Sequence, residues 1–183
     1  MSWAALLLCF VFLISFAQSI YVITDFGALP HQDHRSAHIA NAKAFMAAII
    51  KANQTVTGER IVKVPKGTFY SFPMRMDYIY NVRIVIEGKL SASKLIRGWP
   101  TQPQSGYYED FISCHNCNYL TIHGGGKIDG RGYHWWVVCI LNDKKILKDN
   151  NYRPHLIRLE RTRNIVIHDI TMKNSAQFHL KMD

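Results

Sequence analysis

The sequence predicts an all-β coil, a β solenoid entered through one amphipathic helix, and three observations carry that prediction. Short runs of Ile, Val and Leu separated by turn residues recur from about residue 78 onward, where helical patterning fades. Two stretches agree in kind when laid over one another at an offset of 45: Phe111-Ile112-Ser113-Cys114 with Leu156-Ile157-Arg158-Leu159, and Leu120-Thr121-Ile122-His123 with Ile165-Val166-Ile167-His168. Hairpin dipeptides between neighbouring runs are missing, Asp129-Gly130 excepted. In such a coil each inward aliphatic rests on its counterpart one turn away, and burying one contributes roughly 1.5 to 3 kcal/mol. A sandwich is the competing all-β arrangement and would show cleaner hairpin turns.

The elements follow in order. Residues 1 to 24 contain no Lys, Arg, Asp or Glu, and Ala4 to Ala17 is a nearly unbroken apolar run. That run is shorter than the ~20 residues needed to cross a bilayer, and Ala17-Gln18-Ser19 suits signal peptidase. Residues 1–19 therefore read as a secretory signal peptide, with an uncleaved anchor as the alternative, and residues 20–183 as soluble and exported. Tyr21 to Gly27 alternates like a strand. From Ala37 to Ala52, apolar residues at Ile39, Ala42, Phe45, Met46, Ile49 and Ile50 recur near the helical period and predict one buried face. Ile61 to Val64, stopped by Pro65-Lys66-Gly67, and Thr68 to Phe72 are short strands. Beyond them come Asn81-Val82-Arg83-Ile84-Val85-Ile86, a third rough copy of the repeat, then Leu90, the two repeated stretches, Ile128 and Ile170 to Met172.

With 183 residues, 48% hydrophobic and 19% charged, the chain is neither disordered nor collagen-like. Its net charge of +9 favours a polyanionic partner over a calcium-binding role. Cys114, Cys117 and Cys139 remain beyond the leader, an odd number, so at least one is unpaired within the chain. Cys114-His115-Asn116-Cys117 has the spacing of a redox pair or half a zinc site, or of two small residues packed in and beside a strand. Asn53-Gln54-Thr55 is a glycosylation sequon.

Of the 13 carboxylates only Glu109 and Asp110 are sequence neighbours, and after the loop Pro100 to Gly106 they read as a solvated turn. Gly124-Gly125-Gly126-Lys127 lacks phosphate-loop spacing, and its glycines read as tight corners. Tyr133-His134-Trp135-Trp136 suits either sugar stacking or covering the coil. Arg158, Arg161, Arg163, Lys144, Lys145 and Lys148 suit an anionic substrate or plain surface charge. The nine histidines show no paired-ligand spacing, so no metal is assigned.

Taken together and in order, several segments resemble the polygalacturonases of glycoside hydrolase family 28, in the pectate-lyase-like superfamily. They are Val22 to Ala28, Asn41 to Ile49, Val62 to Phe69, Ile128 to Gly132 leading to Trp135-Trp136, Arg153 to Ile157, and Asn164 to Ile167 with Asn174-Ser175. The resemblance implies a right-handed parallel β-helix with an N-terminal capping α-helix. It implies hydrolysis of α-1,4 galacturonosyl bonds of pectin with inversion, without a cofactor, by a secreted monomer with no nucleic-acid or membrane partner. The family's reacting groups, an Asn-Thr-Asp cluster, an Asp-Asp pair, a Gly-His-Gly and an Arg-x-Lys, follow the Asn-Ser corner, and none occurs in these 183 residues. No catalytic residue is carried over. The expectation is an amino-terminal part of a longer enzyme, or a truncated product without activity, whose coil, cut after its last strands, is poorly soluble alone. A non-catalytic β-helix that binds acidic polysaccharide is the alternative. Ala176-Gln177-Phe178 departs from the family's usual continuation after Asn-Ser.

Overall fold

The computed structural model describes residues 18–147 and 152–183. The apolar run read as a leader lies outside the described residues up to Ala17, as does Lys148, whereas Gln18 and Ser19 open the first strand.

The strands are β1 (Gln18–Val22), β2 (Glu59–Val64), β3 (Thr68–Ser71), β4 (Met74–Asp77), β5 (Tyr80–Ile86), β6 (Lys89–Ala92) and β7 (Ile112–His115). They continue as β8 (Asn118–His123), β9 (Lys127–Asp129), β10 (Ile157–Glu160), β11 (Arg163–Ile167), β12 (Thr171–Lys173) and β13 (Leu180–Met182). They form three sheets in which every ladder is parallel. The first sheet has the order β1-β2-β5-β8-β11, the second β3-β6-β9-β12 and the third β4-β7-β10-β13. The chain visits first, second and third sheet in turn and then climbs one level, which makes a right-handed parallel β-helix.

Register explains why the coil holds. Ile157 pairs with Ile112 and Ile165 with Leu120, so the offset of 45 read from sequence is one full turn of the solenoid. Inward positions stack in columns: Val62, Ile84, Ile122 and Ile167 in the first sheet, Phe69, Leu90, Ile128 and Met172 in the second, Met74, Ile112, Ile157 and Leu180 in the third. Most are fully buried, but Leu180 is 37% exposed at the last level, where no described strand lies beyond it.

Helix α1 (Arg35–Asn53) covers the start of the coil. Its buried face differs from the expected one: Ala37, His38, Asn41, Ala44, Phe45, Ala48, Ile49 and Ala52 are buried, while Ile39 and Ile50 are 38% and 49% exposed. The alanines let the helix axis approach the strand ends closely, so small residues rather than the bulkiest ones define the contact. Asn41 is satisfied there, with Oδ1 accepting from Leu29 N–H (2.6 Å) and Nδ2 donating to Leu29 O (3.1 Å) and Tyr70 O (2.7 Å).

The strand expected over Tyr21 to Gly27 stops at Val22, because Ile23–Phe26 winds into a 3-10 turn closed by Gly27 at φ 92°. A second helix, α2 (Tyr133–Ile140), which no sequence signal announced, carries both Trp135 and Trp136. Trp135 is buried against Trp99 and Tyr108, and Trp136 donates its indole N–H to Ser175 O (3.0 Å), so one Trp is core and the other is anchored.

The corners differ in length. From third sheet to first, Tyr78-Ile79, Asn116-Cys117 and Arg161-Thr162 alone connect the strands. Left-handed φ recurs at each level, at Tyr78 and Asn81, Asn116 and Tyr119, Arg161 and Asn164. Each such residue other than Gly or Asn costs roughly 1 kcal/mol or more. The corners from second sheet to third run instead from Phe72–Pro73 to the long segments 93–111 and 130–156. Gly124 and Gly125 sit at φ 125° and 76°, the tight corner expected of them.

Candidate functional site

Alternation fixes which side chains leave the coil on the third sheet. With Met74, Met76, Ile112, Cys114, Ile157 and Leu159 buried inside, the residues between them face out. They form two ladders in register: Arg75, Ser113, Arg158 and Lys181, and beside it Asp77, His115 and Glu160, with Asp183 following β13. One strip thus sets a row of two Arg and one Lys, interrupted by buried Ser113, beside a row of carboxylates interrupted by buried His115.

The strip is tied together by ion pairs. Arg75 Nε donates to Asp77 (3.1 Å), and Arg158 Nη2 lies 2.9 Å from Asp183 Oδ2 and 3.6 Å from Glu160 Oε2. His115 Nδ1 is 3.3 Å from Glu160; burial, and then Arg75, push its pKa below the ordinary histidine value. Ser113 is 2% exposed and its hydroxyl has no hydrogen-bond partner, although it sits in register between two guanidinium-bearing residues. Such an orphaned buried hydroxyl is unusual in a folded protein.

Asp110 corrects the sequence reading. Expected in a solvated turn, it is 1% exposed and enclosed by a network. It accepts from the His155 backbone N–H (2.6 Å), faces His155 Nδ1 at 2.8 Å, accepts from Tyr152 Oη (3.3 Å) and lies 3.7 Å from Arg158 Nη1. Burial, with the Asp110 charge beside it, pushes the Tyr152 phenol well above its ordinary range. The neighbouring Glu109 is held above the usual carboxylate range by burial, which outweighs Arg75; the charge of Asp110 adds to the effect. A carboxyl group that holds its proton to higher pH therefore borders the strip. Sequence reasoning missed this network, though one signal was present: Asp110 and His155 are separated by the same 45 residues as the aligned strands.

The other residues named from sequence are distributed as follows. Arg161 pairs with Glu160 (3.1 Å), and Arg163 is exposed on β11, so neither joins Arg158 at the Asp110 network. Cys114 and Cys117 are bonded to each other across a Cα separation of 6.0 Å, both buried, which makes the pair a structural staple of the corner. Cys139 is free, with Arg153 Nη1 2.6 Å from its sulfur. A further cluster ties the turn before α2 to the segment before α1. Arg131 donates to both oxygens of Asp33 (3.1 and 3.0 Å), and this contact lowers the Asp33 pKa to about 2. Nearby Asp129 is 4% exposed; burial raises its pKa, but Lys89 at 2.7 Å, the Arg131 N–H and Asn174 bring it below the ordinary value. Among the described residues no group of three or more His, Cys, Asp or Glu is placed to hold a metal.

The model of the glycosyl hydrolases family 28 matches residues 54–183. The chain belongs to that family. It is 36% identical over 167 residues to a polygalacturonase of Chamaecyparis obtusa, covering 90% of this chain and 30% of the relative. It is 26% identical over 161 residues to a polygalacturonase of Persea americana, covering 88% and 32%. The chain thus spans about a third of the length of these family 28 relatives. Among solved structures, a hyperthermoactive exopolygalacturonase from Thermotoga maritima shares the fold at a TM-score of 0.63 and 18% identity, over 88% of this chain and 43% of that one. The polygalacturonase from Erwinia carotovora gives 0.58 at 22% identity, over 76% and 46%.

Proposed function

We propose that this chain is part of a secreted family 28 enzyme that hydrolyses α-1,4 galacturonosyl bonds of pectin with inversion, as a monomer and without a cofactor. The observation that carries the reading is the outward strip of the third sheet. Arg75, Arg158 and Lys181 stand in one ladder and can meet the regularly spaced carboxylates of a polyuronate lying along it. Family membership and a charge of +9 point to the same substrate class.

Inverting hydrolysis requires one carboxylic acid to protonate the departing oxygen and one carboxylate to activate water on the opposite face, the two being about 6.5–9.5 Å apart. The 183 residues contain neither an Asn-x-Asp cluster nor an Asp-Asp pair, so the reading assigns this chain polymer binding and assigns the proton transfers to residues outside it. No helix among the described residues is long and apolar enough to cross a membrane. A second reading, a non-catalytic binder of acidic polysaccharide, is favoured by the same strip, since its cations need no catalytic pair.

Reducing-sugar release from polygalacturonate separates the two. A product translated from the whole transcript that releases sugar, and loses affinity for polymer in Arg158→Gln, supports the hydrolase. Affinity without release supports the binder. A product that neither binds nor cleaves refutes both.

A further inference from the structure

At the corner entering the first sheet, the left-handed positions Asn81, Tyr119 and Asn164 stand at equivalent places on three successive levels. Asn tolerates this conformation because its short polar side chain bonds locally; for a bulky residue it is an outlier, and Tyr119 shares that cost with Tyr78 and Arg161 a few residues earlier in the same corners. Strain of this kind persists only where the surrounding structure over-determines it, and it clusters at functional sites. The Tyr119 ring is not buried in exchange: it is 50% exposed and meets Tyr80, itself 51% exposed, edge to face at 5.6 Å.

Beside this pair lies a groove of about 260 Å³ on the outward face of the first sheet, whose lining includes Arg60, Arg83 and Tyr119 and one carboxylate, Glu59. Arg60 Nη1 donates to Tyr80 O (2.9 Å), which fixes a cation beside the aromatic pair. Arg83 is 47% exposed and only loosely held, 3.6 Å from Glu59. Exposed aromatic faces next to guanidinium groups suit a chain of rings that carry carboxylates.

We propose that Tyr80 and Tyr119, with Arg60 and Arg83, form a second docking surface for an acidic polysaccharide strand, on a different sheet from the strip with Arg158. The polymer class rests on the function proposed above; the location does not. The surface holds the polymer without cleaving it, so that one strand is retained while another lies along the third sheet.

The test uses the full chain in affinity electrophoresis through polygalacturonate and, separately, through fully methyl-esterified pectin. Tyr119→Asn is expected to weaken retention by polygalacturonate about five- to tenfold, the scale of an interface anchor, with an unchanged or raised melting temperature. Arg83→Gln is expected to narrow the preference for the unesterified polymer about two- to fivefold, with Arg60 and the third-sheet strip keeping the remainder. The proposal is overturned if the parent is not retained, if Tyr119→Asn and Tyr80→Ala are retained like the parent, or if retention falls only together with melting temperature. Reducing-sugar release from soluble trimers and tetramers, measured on the same variants, reports on the hydrolase independently: loss of retention with release unchanged supports a separate surface, and absence of release leaves the retention result standing.

Discussion

Replacing Asp110 is the sharpest test of the packing described here. The carboxylate is 1% exposed and its partners converge on it, His155 at 2% exposure and Tyr152 from the segment that leads into β10 and Arg158 from β10 itself. In Asp110→Ala the His155 N–H is left buried without an acceptor, and the Arg158 guanidinium loses its buried counter-charge. Removing one member of a buried pair costs about 3–5 kcal/mol, which for a chain of this size lowers the melting temperature by about 6–20 °C. Asp110→Asn keeps the shape and one acceptor, and should cost about 1–3 kcal/mol. Urea titrations followed by tryptophan fluorescence give both values, and a double-mutant cycle with His155→Phe isolates the pairwise part, because Asp110 and His155 touch. If Asp110→Ala loses less than about 1 kcal/mol, the range of an ordinary surface substitution, the carboxylate is solvated and the enclosed network is wrong.

Other outcomes follow from single features. Asp33 has its pKa lowered to about 2, chiefly by Arg131, so its contribution is complete above the unfolded value of 3.8 and is lost as pH falls from there towards 2; Asp33→Asn should flatten that part of a stability–pH profile. In Gly126→Ala the new Cβ meets the carbonyl oxygens of Ile86 and Gly88, so the variant should lose about 1–3 kcal/mol, read by chemical denaturation. Non-reducing peptide mapping should recover Cys114 and Cys117 as one bridged peptide with Cys139 alkylated, and reduction of so short a loop should cost roughly 2 kcal/mol.

The coil was legible because its inward columns are aliphatic and one turn keeps the same offset of 45 in two sheets: Ile112 and Ile157, or Leu120 and Ile165, betray it directly. What escaped were contacts with no local trace. Asp110 looks like a turn residue among Pro, Gln and Gly, and its partners are 42 or more positions away. The same offset of 45 also brings together Asp129 with Asn174 and the stacked rings of His123 with His168, so polar residues carry the period as well as aliphatic ones. Strand β4 was missed because Met74 and Met76 alternate with Arg75 and Asp77 over only four residues. Helix α2 was missed because eight residues without a capping side chain leave no start signal.

The unequal corners have a consequence for how such a protein can change. Lengthening Asn116-Cys117 or Arg161-Thr162 would throw two ladders out of step at once, whereas the corner from second sheet to third already takes connections as unequal as 72–73, 93–111 and 130–156 while the ladders on either side stay in register. New recognition elements, whether arising by descent or grafted by hand, should therefore be accepted along that one seam, like fittings exchanged on a fixed rail, and it is the seam that borders the strip bearing Arg75 and Arg158.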